Sequence, residues 1–297
     1  MISIEKQIIK KELSVIEFLS IFDTDEYCEN YMKNIVFRSG EIYCFHCGTS
    51  NPYKTNRGGY RCRGCKKDFN IKQATIFNNS KLTWRQIFFL VYLNASNKKN
   101  QSSVQYSKHL GITQTSSWKL LNKIRYQYSQ DQTKLKGIVE VDEAFVSRNP
   151  THKKHNWGGI STRKEPILGL MERGGRVIAA CVPNRKKETV ISMINHFVEK
   201  GSTIYTDGYA GYRSLIEHGY YHKWVEHSVR EYVNGEVHTN SIEGFWSHFK
   251  KSVRNAHHNI SSKHCQAYLN EAVFKYNNRN LSQMDKFNKI LENCIAV

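Results

Sequence analysis

The sequence has no apolar run long enough to cross a membrane. A spanning helix needs about 18 consecutive apolar residues, and no hydrophobic segment reaches that length. The first residues, MISIEKQIIKKELS, carry charges throughout and lack the apolar core of a secretory signal peptide. These absences predict a protein of a reducing compartment such as the cytoplasm. Disulfides are rare there, so the eight cysteines are expected to be thiols or metal ligands.

Acidic residues are scarce relative to basic ones. The 297 residues include 44 Lys and Arg against 26 Asp and Glu, a formal net charge of +18. This excess says little about the fold but favours a polyanionic partner, most simply nucleic acid. The 17 Tyr and 5 Trp support the same partner, because aromatic faces beside cations suit bases as well as phosphates.

Four of the eight cysteines form two closely spaced pairs. Cys44 and Cys47 make one C-x-x-C motif, and Cys62 and Cys65 make another. Two thiolate pairs on tight turns can complete a tetrahedron around one Zn²⁺ ion, although a redox or disulfide pair would have the same local spacing. All four ligand positions are filled, so we expect a closed, structural zinc site.

The segment around these cysteines is strongly basic. Residues 54–72 contain seven basic residues and one acid, Asp68. A rigid finger with this charge is expected to contact DNA phosphates without reading the base sequence. The other cysteines are scattered and are expected to be small apolar residues.

Helical patterns follow the ribbon. Residues 81–96 predict an apolar-rich helix, and residues 102–128 predict two helices around Gly111. The pair fits a helix-turn-helix whose second helix carries basic residues, or a plain helical hairpin that links two domains. The predicted divisions are a helical N-terminal segment (1–40), a zinc ribbon (41–72), a helical region with an optional helix-turn-helix (80–130), an α/β domain (136–280) and a C-terminal tail (281–297).

From residue 136 onward, strand and helix patterns alternate. GIVEVDEAFV alternates as a strand, and PILGLMER and RVIAACVP flank a Gly–Gly turn as a hairpin. KKETVISMINHFVEKG predicts a helix that ends at Gly201, STIYTDGYAGY a further strand, and HKWVEHS a fifth. Helices follow from HTNSIEGFWSHFK and over about 261–278. This order predicts a mixed sheet flanked by helices.

Two acids lie where strands deliver side chains to one edge of the sheet. Asp142 shares a strand face with Glu140, while Glu143 points the other way. Asp207 ends an apolar strand, a position where ligand sites form in open α/β sheets. If Asp142 and Asp207 lie side by side, they repel each other until a divalent metal ion binds.

A third ligand is expected from the helix that follows. Glu243 lies on it, with Asn240 one turn before and Lys250 two turns after. Local sequence alone leaves other interpretations open. Asn240 and Glu243 could form a capping box, and Asp142 could belong to a buried ion pair.

These motifs carry a resemblance to a known family. VEVDEAF, TDGYAGY and HTNSIEGFWSHFK, in this order behind a four-cysteine ribbon, resemble the zinc-ribbon DDE transposases of bacterial insertion sequences. The similar branch has an ISXO2-like catalytic domain and is related to the eukaryotic Merlin elements. The resemblance extends over residues 28–279. One departure is the late Gly–Gly pair in the basic loop after the first strand.

The resemblance implies an RNase H-like fold and specific catalytic residues. Asp142 matches the first acid, Asp207 the second, and Lys250 the lysine after the third position. In this branch the third position is Glu, Asn or His, and Glu243, Asn240 and His238 all lie nearby. We favour Glu243, because an ionised carboxylate binds Mg²⁺ better than an amide does.

The resemblance also implies a reaction and its partners. The expected protein is a transposase that binds the terminal inverted repeats of an insertion sequence as a dimer or higher oligomer on double-stranded DNA. Two Mg²⁺ (or Mn²⁺) ions, about 4 Å apart, would support strand cleavage by water and transfer of the freed 3′-OH to target DNA. The alternatives are a non-catalytic zinc-ribbon DNA-binding protein and an RNase H-like nuclease that cuts without joining.

Overall fold

The chain folds into two units. The computed structural model describes residues 12–56, 58–98, 100–147, 164–207, 210–225, 237–257 and 259–296. The N-terminal unit comprises Met1–Tyr128 and Asn280–Val297, and the central unit comprises Ser129–Arg279. None of the helices in these ranges has the length and apolar character needed to cross a membrane.

Helices and strands alternate along the chain in blocks. In chain order, the helices are α1 (Val15–Ile21), α2 (Asp25–Val36), α3 (Trp84–Ser96), α4 (Ser103–Leu110), α5 (Gln114–Arg125), α6 (Lys187–Phe197), α7 (Asn240–His257), α8 (Ser262–Asn277) and α9 (Gln283–Asn293). The strands are β1 (Tyr53–Lys54), β2 (Tyr60–Arg61), β3 (Asp68–Phe69), β4 (Ile138–Ser147), β5 (Lys164–Glu172), β6 (Val177–Cys181), β7 (Thr203–Asp207) and β8 (Tyr221–Val225).

The C-terminal residues belong to the N-terminal unit. Residues 281–297, expected to form a tail, contain α9, and its Phe287 is fully buried. The Phe287 ring lies 5.6 Å from those of Phe18 and Phe22 and 5.5 Å from that of Phe88. Aromatic packing of this kind explains why α9 returns to α1 and α3.

The zinc ribbon is a small antiparallel sheet in the order β1-β2-β3. Gly58 and Gly59 lie between β1 and β2, at φ +81° and +82°. A Cβ atom on Gly59 would lie 2.7 Å from the carbonyl oxygen of Phe69. Glycine is therefore required there both for the left-handed backbone and for the close approach of β3.

Helices α4 and α5 follow the predicted pattern around Gly111. Gly111 ends α4 in the left-handed conformation, at φ 63°. Among the apolar residues of the two helices, Tyr106, Leu121 and Ile124 are buried, whereas Val104 and Trp118 are exposed. Lys123, expected on the basic face of the second helix, instead donates to the carbonyl oxygen of Ile76 at 2.8 Å.

The central unit contains the mixed sheet predicted from the sequence. Its order is β6-β5-β4-β7-β8. Strand β5 is antiparallel to both β4 and β6, whereas β7 is parallel to both β4 and β8. Helices cover both faces, as the sequence predicts: Val139 and Val141 pack with α6 residues, and Ala144 and Val146 with α7 and α8 residues.

One predicted boundary was wrong. Helix α6 ends at Phe197, four residues before Gly201. Val198 is extended and forms a parallel bridge with Leu135. Leu135 donates to the Phe197 carbonyl at 2.7 Å and accepts from Glu199 at 2.8 Å. This non-local pairing replaces the last turn of the predicted helix. Most of the basic loop after β4 and the end of the predicted HKWVEHS strand lie outside the described residues.

Candidate metal centres and active site

The four ribbon cysteines converge on one point. Their sulfur atoms all lie within 4.8 Å of one another. The Cys44 and Cys65 sulfurs are 3.7 Å apart, and those of Cys47 and Cys62 are 3.5 Å apart. A tetrahedral Zn²⁺ site with bonds of about 2.3 Å has sulfur–sulfur edges of about 3.8 Å. The cysteines therefore fit one closed zinc site, as their spacing predicts.

Backbone amides point at the sulfurs. The N–H of His46 donates to Cys44 Sγ at 3.4 Å, and the N–H of Gly64 donates to Cys62 Sγ at 3.3 Å. A hydrogen bond with the Thr49 hydroxyl lowers the pKa of the Cys47 thiol to about 6. These interactions favour thiolates, the form that binds zinc.

Strand register sets Asp142 beside Asp207. The parallel ladder pairs Ile138 with Thr203 and Glu140 with Tyr205, a constant offset of 65 residues. Asp142 and Asp207 are separated by the same 65 positions, so they lie level with each other just beyond the last paired residues. One carboxylate oxygen from each acid lies within 4.8 Å of the other.

A third carboxylate, Glu143, joins this pair. Its neighbours in β4 alternate between the two faces of the sheet, so Glu143 leaves the strand on the face opposite to Asp142, as predicted. Its carboxylate nevertheless reaches within 4.8 Å of both Asp142 and Asp207. The β4–β7 ladder ends at Glu140, three residues earlier. The alternation of side chains along the strand therefore did not predict that Glu143 joins the cluster. The signal in the sequence was that Glu143 directly follows Asp142 in VEVDE.

The cluster is half-buried, and its carboxylates repel one another. Burial, followed by the charges of Glu143, Asp207 and Glu243, raises the pKa of Asp142 to about 7. Burial also raises the pKa of Glu143, against a hydrogen bond with Tyr212 that lowers it. Carboxylates held this close in a shielded position favour a bound cation, because a divalent ion removes their mutual repulsion.

Helix α7 carries Glu243 towards this cluster. Glu243 lies in the first turn, is exposed, and accepts a hydrogen bond from the Thr239 hydroxyl at 3.0 Å. Its charge contributes to the raised pKa of Asp142. Glu243 is not part of the group of carboxylate oxygens that lie within 4.8 Å of one another, and its link to Asp142 is electrostatic.

The other predicted site residues differ in their surroundings. Asn240 is the first residue of α7 and is exposed, and Lys250 is exposed seven residues after Glu243. His238 lies elsewhere: its Nδ1 is 3.1 Å from Arg173 Nη2 and 3.5 Å from Glu140 Oε1. This environment disfavours His238 as the third ligand.

Glu140 accounts for both alternative interpretations of the local sequence. The amides of Ser241 and Ile242, at the start of α7, donate to Glu140. The amide of Glu243 donates to the Thr239 carbonyl at 3.1 Å rather than to Asn240 in a capping box. The buried ion pair on β4 is also formed by Glu140, whose Oε1 lies 3.0 Å from Arg173 Nη2. Glu140 rather than Asp142 therefore forms the buried ion pair, and Asp142 belongs to the acidic cluster.

The chain is similar in sequence to one curated protein and in structure to two solved complexes. The uncharacterized protein in transposable element ISH50 of Halobacterium salinarum is 25% identical over 273 residues, covering 84% of this chain and 90% of that protein. A pre-cleavage Mos1 transpososome is 12% identical, with a TM-score of 0.30, over 70% of this chain and 77% of that chain. A simian T-cell lymphotropic virus intasome in complex with PP2A regulatory subunit B56 gamma is 13% identical, with a TM-score of 0.32, over 59% and 64%. At these TM-scores the two structures add nothing to the assignment.

Two family profiles match the chain. The transposase zinc-ribbon domain matches residues 23–68, which include all four ribbon cysteines. The ISXO2-like transposase domain matches residues 134–277, which include Asp142, Asp207 and Glu243. The order of the two domains agrees with the order of the cysteine and carboxylate clusters along the chain. The chain belongs to the transposases that combine a zinc ribbon with an ISXO2-like transposase domain.

Proposed function

We propose that the chain is a DNA transposase that cuts DNA at the ends of its mobile element and joins those ends to target DNA. The observation that carries this proposal is that Asp142 and Asp207 lie level on neighbouring parallel strands, with carboxylate oxygens within 4.8 Å of each other. Glu243 on α7 adds to the negative charge that acts on Asp142. Carboxylates held together in this way suit divalent metal ions and phosphoryl chemistry.

Asp142, Asp207 and Glu243 would hold two Mg²⁺ or Mn²⁺ ions. The distances between the strand carboxylates fit, since their oxygens lie within 4.8 Å and two-metal sites separate their ions by about 3.5–4 Å. When bound, such ions supply an activated water and stabilise the leaving 3′ oxygen. The protein's own contribution is to hold the three carboxylates at fixed positions. No Ser or Tyr nucleophile is required.

Helix α7 would place the DNA backbone over the acids. Lys250 lies two turns after Glu243 on the same side of the helix, and the exposed Lys251 and Arg254 follow it. We assign Lys250 to a phosphate near the cut strand. Asn240, one turn before Glu243, is the alternative third ligand.

The remaining regions would bind the element ends. We assign recognition of the terminal inverted repeats to the zinc ribbon (41–72) and the helical region (80–130), and strand chemistry to residues 136–280. The ribbon's positive charge suits phosphate contacts. Two ends must be held together for joining, so we propose a dimer or higher oligomer on DNA, associated with the nucleoid of a bacterial host.

The test uses purified protein, labelled DNA that carries the ends of the encoding element, and Mg²⁺. Wild-type protein should nick at the element ends and yield strand-transfer products. Asp142→Asn and Asp207→Asn should each abolish nicking and still shift the DNA in a gel. Glu199→Gln, an exposed carboxylate outside the cluster, is the matched control and should nick normally.

The products distinguish the competing functions. Cleavage without joined products would identify a nuclease. DNA binding that survives without Mg²⁺, with no cleavage at all, would identify a non-catalytic DNA-binding protein. Normal nicking by Asp142→Asn would show that the assigned site is wrong.

A further inference from the structure

Glu140 is a carboxylate with no exposed surface in the middle of β4. It shares the α7 side of the sheet with Asp142, two residues later. A buried charge is tolerated only when it is paired and hydrogen-bonded. Arg173 supplies the pairing charge, with Nη2 at 3.0 Å and Nε at 3.2 Å from Glu140 Oε1.

The remaining partners of Glu140 come from the first turn of α7. Its Oε2 accepts from the backbone N–H groups of Ser241 at 2.9 Å and Ile242 at 3.1 Å. Its Oε1 accepts from the Ser241 hydroxyl at 3.0 Å. The first N–H groups of a helix have no partner within the helix and carry its positive dipole end, so a carboxylate stabilises them strongly. A strand residue thus caps a helix 100 residues away in sequence.

Arg173 is itself fixed from several sides. Its backbone N–H donates to Ile138 at 2.9 Å, and its Nη2 donates to the His238 carbonyl at 3.1 Å. Its guanidinium lies 4.9 Å from the centre of the Tyr205 ring on β7. Through Arg173, Glu140 is therefore linked to β4, to β7, to the residue that follows β5 and to the residues that precede α7.

The spacing of these contacts relates them to the acids. Glu140 lies two residues before Asp142, and Ser241 lies two residues before Glu243. One turn further along α7, Trp246 packs against Gly169, the residue paired with Asp142 on β5. Together, the Glu140 contact and the Gly169 contact set the height and rotation of α7 over the strand that carries Asp142.

We propose that Glu140 is a positioning residue for the metal site: by holding the first turn of α7 on β4, it keeps Glu243 beside Asp142. This inference rests on the proposed function, because it assumes that Glu243 is the third metal ligand. It adds a role for the first acid of VEVDEAF. Glu140 contacts no reacting atom and acts through α7.

The test is a double-substitution cycle read by Mn²⁺ binding. Wild type, Glu140→Gln, Glu243→Gln and the double variant, each with the ribbon loaded with zinc, are titrated with Mn²⁺ while the free ion is followed by electron paramagnetic resonance. Glu140→Gln should weaken Mn²⁺ binding about tenfold, the range for residues that orient metal ligands. The double variant should bind within about twofold of the weaker single variant, because both changes remove the same ligand.

Two controls keep the result interpretable. Glu199→Gln should bind Mn²⁺ like the wild type, since that carboxylate is exposed and is not a member of the cluster. If Glu140→Gln does not fold, Ser241→Ala replaces it, because it removes only the hydroxyl contact. Its Mn²⁺ binding should weaken about two- to threefold, and only when Glu243 is present.

The outcomes separate this inference from the proposed function. Unchanged Mn²⁺ affinity in Glu140→Gln would overturn the positioning role even if the wild type nicks DNA. So would a double variant whose loss of affinity is the product of the two single losses, because the two residues would then act independently. A coupled cycle in a protein that never nicks DNA would support the positioning role and overturn the proposed function. A wild type that binds no Mn²⁺ would overturn both.

Discussion

Gly169 lies directly opposite Asp142 on the neighbouring antiparallel strand, and helix α7 rests on it. A Cβ atom at Gly169 would lie 2.5 Å from Trp246 Cζ2 and 2.9 Å from Ile242 Cδ1. The missing side chain allows the helix to approach the sheet beside the acid. The close packing of α7 on β5 therefore lies beside the candidate metal ligand Asp142.

Gly169→Ala is expected to move α7 away from β5. Both clashing atoms belong to buried side chains, so the strain should lower the free energy of unfolding by about 1–3 kcal/mol. Displacement of Glu243 should also weaken Mn²⁺ binding. Urea unfolding and Mn²⁺ titration would measure the two effects. The control is Gly244→Ala, where an added Cβ meets no atom within 4 Å. A Gly169→Ala protein as stable as this control would contradict the packing argument.

Stability without divalent metal should fall as pH rises. The pKa of Asp142 is about 7 in the folded chain against an ordinary value of 3.8, mainly because of burial. Between these values the folded state holds a proton that the unfolded state has released, so folding is penalised increasingly up to about pH 7. The full penalty is on the order of 4 kcal/mol at most, since one pKa unit corresponds to about 1.4 kcal/mol.

This pH effect can be isolated in one residue. Urea unfolding at pH 5 and pH 8, without added Mg²⁺ and without a chelator that would strip the zinc, should show the wild type losing stability relative to Asp142→Asn. Added Mg²⁺ should restore the wild type at pH 8 and leave the variant unchanged. Parallel pH profiles of the two proteins would argue against a raised pKa at Asp142.

The zinc ribbon should depend on its buried cysteines. Cys62→Ser removes a fully buried ligand, so the purified protein should lose its bound zinc, about one ion per chain in the wild type. Metal content measured by mass spectrometry and DNA binding measured by gel shift should fall together. Cys181→Ser, on β6 in the other unit, should retain both. Full zinc content in Cys62→Ser would exclude the four-cysteine site.

The third ligand can be decided between two residues of one helical turn. Glu243→Gln should lower the nicking rate by about 100-fold or more, because it removes a charged metal ligand. Asn240→Ala should change the rate by only a few-fold, provided that Glu243 is the ligand. The reverse order of effects would reassign the third position to Asn240. Gel shifts should show normal DNA binding in both variants.

Much of the fold could be predicted because its signals are local. Alternation of apolar residues identified β4, and the Gly–Gly turn identified the β5–β6 hairpin, since side chains of a strand alternate between faces. The boundary error in α6 had a non-local cause. Leu135 pairs with Val198, more than 60 residues away, and no pattern within the helix reveals that bridge.

The sequence by itself determined the ligand types and their order: two C-x-x-C pairs, then acids at a strand centre, a strand end and a helix start. Only the tertiary structure decided which groups meet. The β4–β7 register sets Asp142 level with Asp207, the end of that ladder lets Glu143 join them, and α7 takes its cap from Glu140. The physical reason is range: alternation and cysteine spacing depend on neighbours a few residues apart, whereas strand pairing and helix docking depend on contacts between residues 65 to 100 positions apart.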